Sequence, residues 1–147
     1  MAESLKERLR SDLNTARRNR DKLSTMVLTT TLSEVRNREI DVGHELSDDE
    51  VIEVVSSAIK RRRESAEQMR AGGRTELAEK EERESEILRT YLPAQLSEAE
   101  VREMIREVVA QGADSIGAVM GRIAPRIKGR FEGREANRLA REELGTA

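Results

Sequence analysis

The stretch 91-YLPAQLSEAEVREMIREVVAQG-112 decides how the chain is read. Pro93 limits any helix that precedes it, because its ring pushes the residue before it out of α geometry. Ser97-Glu98-Ala99-Glu100 then spells a capping box, in which the serine hydroxyl accepts a free helix N–H and the glutamate reaches back. Val101, Met104, Ile105 and Val108 follow at spacings of three and four, the mark of a helix with one apolar face. Gln111-Gly112-Ala113-Asp114 ends it. A stop, a start and an amphipathic stripe in succession place a boundary at Pro93 and divide the chain into 1–93 and 94–147.

The same grammar extends in both directions. Upstream, Leu5, Leu9, Leu13 and Ala16 form a stripe on a first helix. A run from Asp21 to about Asp41 carries Leu23, Met26, Val27, Leu32, Val35 and Ile40, an arc wide enough to be covered from two sides. Gly43 breaks that run, and Ser47-Asp48-Asp49-Glu50 repeats the capping box. The helix it opens holds Val51, Val55, Ile59, Ala66 and Met69 and stops at Gly72-Gly73, and a fourth segment spans Thr75 to Leu92. Downstream, Ser115 or Asp114 caps a short helix with Ile116, Val119, Met120 and Ile123. A loop over Pro125–Gly133 follows, then a last helix with Ala136, Leu139, Ala140 and Leu144. No stretch alternates with period two. The expected fold is all-α: an N-terminal domain of about four helices, then a small C-terminal three-helix domain.

Composition agrees. The 147 residues include one Tyr, one Phe and no Trp, so the core must be aliphatic, which favours helix packing over a β-sandwich. The absence of cysteine excludes disulfides, thiolate zinc sites and thiol nucleophiles. The opening MAESLKERLRSDL has no apolar signal region, and no run of about 18 apolar residues exists to span a membrane. A cytoplasmic protein with no membrane partner is expected.

Little in the sequence points to catalysis. His44, the single histidine, lies between Gly43 and Glu45 without a neighbouring nucleophile and reads as a solvated connector residue. There is no G-x-S-x-G turn, no phosphate loop and no dinucleotide fingerprint after a strand. Asp41, Glu45, Asp48, Asp49 and Glu50 match no calcium loop and read as acids complementing a helix N-terminus. No catalytic residue, metal or cofactor is expected. Lys60-Arg61-Arg62-Arg63 would fan through about 300° of a helix and pair with Glu64 and Glu67, as a solvated surface does. Arg17, Arg18, Arg20 and Lys22, near a helix–helix junction, are read the same way.

The segment from Gly121 to Arg141 differs. Arg122, Arg126, Lys128, Arg130, Arg134, Arg138 and Arg141 face only Glu132 and Glu135, a balance of +5 in a chain of net −2. Lys128-Gly129-Arg130 lies in a glycine-rich turn where a backbone can approach a ligand closely. The helix starting near Arg134 points free N–H groups at the same turn, and Arg134, Arg138 and Arg141 share one of its faces. Pattern alone reads equally as a solvated basic face or a phosphate-binding surface. With only Phe131 nearby, stacking on bases cannot dominate, so the partner that fits is a structured RNA read by shape and backbone.

Two motifs carry a resemblance across nearly the whole chain: Tyr91-Leu92-Pro93-x-Gln95-Leu96-Ser97, and Gly117-x-Val119-Met120 with Lys128-Gly129-Arg130, Gly133 and Asn137-x-Leu139. They resemble the GatB/YqeY family, which comprises free-standing YqeY-like proteins and the tail of the B subunit of the glutamine-dependent tRNA amidotransferase. The resemblance implies an all-α fold and a link to tRNA, which that tail helps to hold. It implies that Lys128, Gly129 and Arg130 form the turn facing RNA. Gly117 and Gly121 would permit close packing of the short helix, and Asn137 would cap or brace the glycine turn. Arg122, Arg126, Arg134, Arg138 and Arg141 join the candidate set from charge and spacing. Phe131, Arg134 and Ala136 depart from the family pattern. A carbon–nitrogen ligase label with glutamine as amido-N-donor would belong to the larger family member, whose catalytic domains have no counterpart here. The expected role is a non-catalytic, tRNA-associated binding module. The alternative is a protein–protein adaptor of the translation machinery.

Overall fold

A computed structural model describes residues 3–145. Among them are seven helices and no strand. By packing they form two units, Met1–Leu92 and Pro93–Ala147.

The first unit holds α1 (Leu5–Arg18), α2 (Lys22–Val42), α3 (Asp48–Ala71) and α4 (Thr75–Arg89). Its core joins Leu9 and Leu13 of α1 to Val27, Leu28 and Val35 of α2, Val51, Val55 and Ile59 of α3, and Leu88 and Tyr91. α2 is covered by all three of the other helices. Two members of its expected apolar arc nevertheless face outward: Met26 is 44% exposed and Ile40 is 70% exposed. Ser47 opens α3 through the expected box, its Oγ accepting from Glu50 N at 3.3 Å while Glu50 Oε1 accepts from Ser47 N at 3.1 Å. Gly73, at φ 76, turns the chain from α3 into α4. α4 ends at Arg89, three residues short of the expected Leu92. Tyr91 N and Leu92 N instead bond the carbonyls of Leu88 and Arg89, a tightened last turn forced by Pro93.

The Lys60–Arg63 cluster also departs from expectation. The pairs to Glu64 and Glu67 do not form among the described residues. Arg61 reaches Glu34 on α2 at 2.5 Å, and Arg62 lies 3.5 Å from the buried Glu84 on α4. The cations tie helices together because α3 lies between partners whose carboxylates sit far off in sequence.

The second unit holds α5 (Glu98–Ala110), α6 (Ile116–Ile127) and α7 (Gly133–Glu143) around Val101, Ile105, Val108, Val119, Ile123, Ile127, Ala136, Leu139 and Ala140. Ser97 and Glu100 make the second capping box, at 3.1 and 3.3 Å. Ser115 caps α6 by accepting from Ala118 N at 3.1 Å. The loop expected from Pro125 begins later, because α6 runs through the proline to Ile127. Pro125 is exposed, so the carbonyl of Gly121, deprived of its helical donor, faces water. One lost bond near a helix end on the solvent side is tolerable when Ile123 and Ile127 are both buried.

Candidate nucleic-acid interface

The Lys128-Gly129-Arg130 turn is clasped by the segment that follows Pro93. Leu96 N donates to the Arg130 carbonyl at 2.9 Å, and Gln95 Nε2 donates to the Gly129 carbonyl at 2.8 Å. Arg130 Nε donates back to the Ala94 carbonyl at 2.9 Å. Gly129 takes φ 71, a left-handed conformation that glycine adopts without a Cβ penalty. Three bonds across more than thirty intervening residues hold this turn in one shape, and both motifs of the resemblance contribute to it. Gln95 is the site residue that residue-level reasoning missed; its place in the first motif, unexplained by helix periodicity, was the available signal.

That geometry divides the seven cations. Arg130, expected to face RNA, instead braces backbone: its second donor, Nη1, lies 3.3 Å from the Arg126 carbonyl. Arg138 pairs with Glu135 and, at 2.5 Å, with Glu142. Arg141 Nε donates to Asn137 Oδ1 at 2.8 Å, so Asn137 engages its own helix while Gln95 braces the glycine turn. Arg126 has Glu107 at 3.9 Å, a loose exposed pair. Arg122, Lys128 and Arg134 are exposed. Arg122 and Arg126 lie one turn apart on α6, beside the turn that carries Lys128 and the α7 start that carries Arg134.

The charge balance of the whole unit explains the division. Residues 93–147 contain nine basic and nine acidic residues, so the +5 segment is matched by carboxylates outside it. Arg102 on α5 gathers Glu98 at 2.8 Å, Glu142 at 2.6 Å and Glu143 at 3.1 Å, and Arg106 adds a second contact to Glu143 at 3.0 Å. Arg102 holds Glu142 below the usual carboxylate range, and Arg106 does the same for Glu143. The α5–α7 side is therefore a mixed ion network. Arg122 on α6 and Arg134 at the start of α7 have no ion pair among the described residues, and Arg126 has only the loose contact to Glu107.

The α6 glycines have no packing role inside the unit. A Cβ built at Gly117 or Gly121 would meet no heavy atom within 4 Å, which overturns the expected close packing. Gly117, Gly121 and Pro125 recur at spacings of four along the outer ridge of α6, while Met120 packs partly against the core. α7 starts at Gly133 with no side chain capping its free N–H groups. A low, smooth ridge with cations beside it and an uncapped helix end is a surface that a phosphate backbone can approach closely.

Other candidate groups are structurally engaged. His44 Nδ1 lies 2.9 Å from the Glu45 carbonyl on an exposed connector. Of the acidic cluster, Glu45 pairs with Lys6, Glu50 caps α3, and Asp48 accepts from Leu5 N at 3.0 Å. No helix among the described residues is long and apolar enough to cross a membrane.

Fold and site together define a class of small, two-unit helical proteins that present a clasped basic glycine turn. The chain belongs to the YqeY-like protein family, whose model matches residues 6–144. It is similar to "Altered inheritance of mitochondria protein 41, mitochondrial" of Lachancea thermotolerans, 33% identical over 107 residues, covering 70% of this chain and 57% of that protein. The protein of the same name from Clavispora lusitaniae is 31% identical over 123 residues, covering 78% of this chain and 71% of the relative. The chain thus spans a little over half of the Lachancea relative's length.

Proposed function

We propose that the protein is a non-catalytic RNA-binding module, related in role to the tRNA-holding tail that its motifs resemble, and that it grips the backbone of a structured RNA such as tRNA. The observation that carries this reading is the rigid Lys128-Gly129-Arg130 turn, placed between an open glycine ridge and an uncapped helix start. Arg122, Arg126, Lys128 and Arg134 are the contacting cations; Arg130 and Gln95 fix the turn that presents them. Glycines in a helix interior cost roughly 0.5–1 kcal/mol each relative to alanine, and a partner lying over the ridge gives that cost a purpose. tRNA is available in the cytoplasm, where the protein is expected, and in the mitochondrion that the relatives' names print.

Amide chemical-shift mapping with total tRNA tests the assignment. Shifts confined to 117–134 support it, and shifts confined to α1–α4 contradict it. A protein partner is the second reading, favoured by Ile40 and Val42, which expose apolar surface at the end of α2. Capture of the same proteins from lysate before and after ribonuclease treatment would support that reading over the first.

A further inference from the structure

The α1–α2 junction holds a second cationic feature, distant in sequence from the glycine turn and independent of it. Arg17, Arg20, Lys22, Thr25 and Met26 line an open cleft of about 320 Å³. The chain turns there in a helix-ending motif: Asp21 N reaches the Ala16 carbonyl at 2.9 Å, and Arg20 N reaches the Arg17 carbonyl at 3.2 Å. That motif needs a left-handed residue, and Arg20 supplies it at φ 56. Every other described residue with positive φ is a glycine. A side chain with a Cβ is disfavoured in this conformation, and such outliers gather at ligand sites. An arginine kept where glycine is the relaxed choice places a guanidinium at the cleft.

The cleft's charge is uncompensated. Arg17, Arg20 and Lys22 have no carboxylate partner among the described residues, unlike Arg61, Arg62, Arg102, Arg106 and Arg138. The nearest acid, Asp21, is engaged in capping α2: its carboxylate accepts from Ser24 N at 3.0 Å and from Ser24 Oγ at 2.8 Å. The helix end is thereby satisfied, so any attraction for an anion comes from the three side chains. Met26, 44% exposed, gives the cleft an apolar wall beside the cations.

We propose that this cleft binds a phosphate group, carried either by a small phosphorylated ligand or by an RNA chain. Three cations that line the cleft without a carboxylate partner match its charge, and Met26 accommodates the apolar part of the group that bears it.

Titration of the isotope-labelled full chain with inorganic pyrophosphate, and separately with a short oligouridylate, tests this by amide shifts at residues 17–26. Saturable shifts are expected. They should weaken by about tenfold or more in Arg17→Gln/Arg20→Gly/Lys22→Gln, which removes the charge while easing the backbone. In the RNA arm, the slope of log affinity against log salt should fall by about 2, the share of three single-strand phosphate contacts. Saturation by pyrophosphate alone assigns a small phosphorylated ligand; tighter saturation by the oligonucleotide assigns an RNA backbone. Lys128→Ala/Arg134→Ala should leave the pyrophosphate shifts intact, which separates this cleft from the glycine turn. Non-saturable shifts with both probes, or equal binding by the folded triple variant, would overturn the proposal.

Discussion

Arg130 and Ala94 are joined by a 2.9 Å bond from the guanidinium Nε to the backbone carbonyl, and this bond turns an expected RNA contact into part of the scaffold that shapes the site. The arginine closes a loop in which Leu96 N and Gln95 Nε2 donate in the opposite direction. Removing it should loosen the turn without removing a contacting charge. Arg130→Ala is expected to lower stability by about 1.5 kcal/mol, the lower end of the range for hydrogen bonds involving a charged group. Arg130→Lys should fail to restore it, since an ammonium cannot reproduce the planar fork that spans the Ala94 and Arg126 carbonyls. Denaturant melts of the three proteins decide the point; full rescue by lysine would contradict it.

The open ridge makes an opposite pair of predictions for one substitution. Gly121→Ala should stabilise the fold by about 0.5–1 kcal/mol, because the added Cβ meets nothing and the helix gains propensity. The same change should weaken tRNA binding if the backbone lies against the ridge. A thermal melt and a binding titration on one sample check both signs, and a stabilised variant with undiminished affinity would show that the ridge is not covered.

Glu81 and Glu84 on α4 predict an unusual dependence on pH. Burial raises the Glu81 carboxyl, and the neighbouring Glu84 carboxylate raises it further. The folded state therefore holds the Glu81 proton more tightly than the unfolded chain. The contribution favours folding below the unfolded pKa and is lost as pH rises through the folded value. Glu81→Gln should consequently stabilise the protein at neutral pH, with the gain vanishing towards acid. A gain that grew as the pH fell would contradict this sign.

The α5–α7 network predicts the reverse trend. Glu135, Glu142 and Glu143 are held low by Arg138, Arg102 and Arg106 respectively. Their contribution is full above the unfolded carboxylate pKa and disappears as pH falls through the depressed folded values. Most of these groups are exposed, so salt should screen the effect substantially. Arg102→Met should flatten the acid limb of the stability profile at low salt and change little at high salt. An unaltered acid limb would show that Arg102 is not the hub.

The local rules of helix starts were readable without a structure. Ser47/Glu50, Ser97/Glu100 and Ser115 cap helices because a hydroxyl at one position and an N–H three residues on depend on nothing distant. Pro125 misled because the rule that proline stops a helix assumes the lost bond matters, and here it falls on an exposed face. The candidate site was only half legible, for a different reason. Charge and spacing located the turn and the cations, yet Arg138 is neutralised partly by its own helix and held near the Glu98 carboxylate of α5, and Arg130 bonds a carbonyl beside Pro93. Contacts between distant segments decide whether an arginine is a contact or a brace, and no window along the chain contains them. Arg20 stood out only once its backbone angle was known.

The salt dependence of tRNA affinity tests the central claim most directly. If Arg122, Arg126, Lys128 and Arg134 neutralise four phosphates, the duplex-DNA slope of about −0.9 per contact predicts a roughly 100-fold loss of affinity between 50 and 200 mM salt. In Lys128→Ala/Arg134→Ala the slope should become shallower by about 2 units. Equal affinity and equal slope for the wild type and this variant would contradict the account.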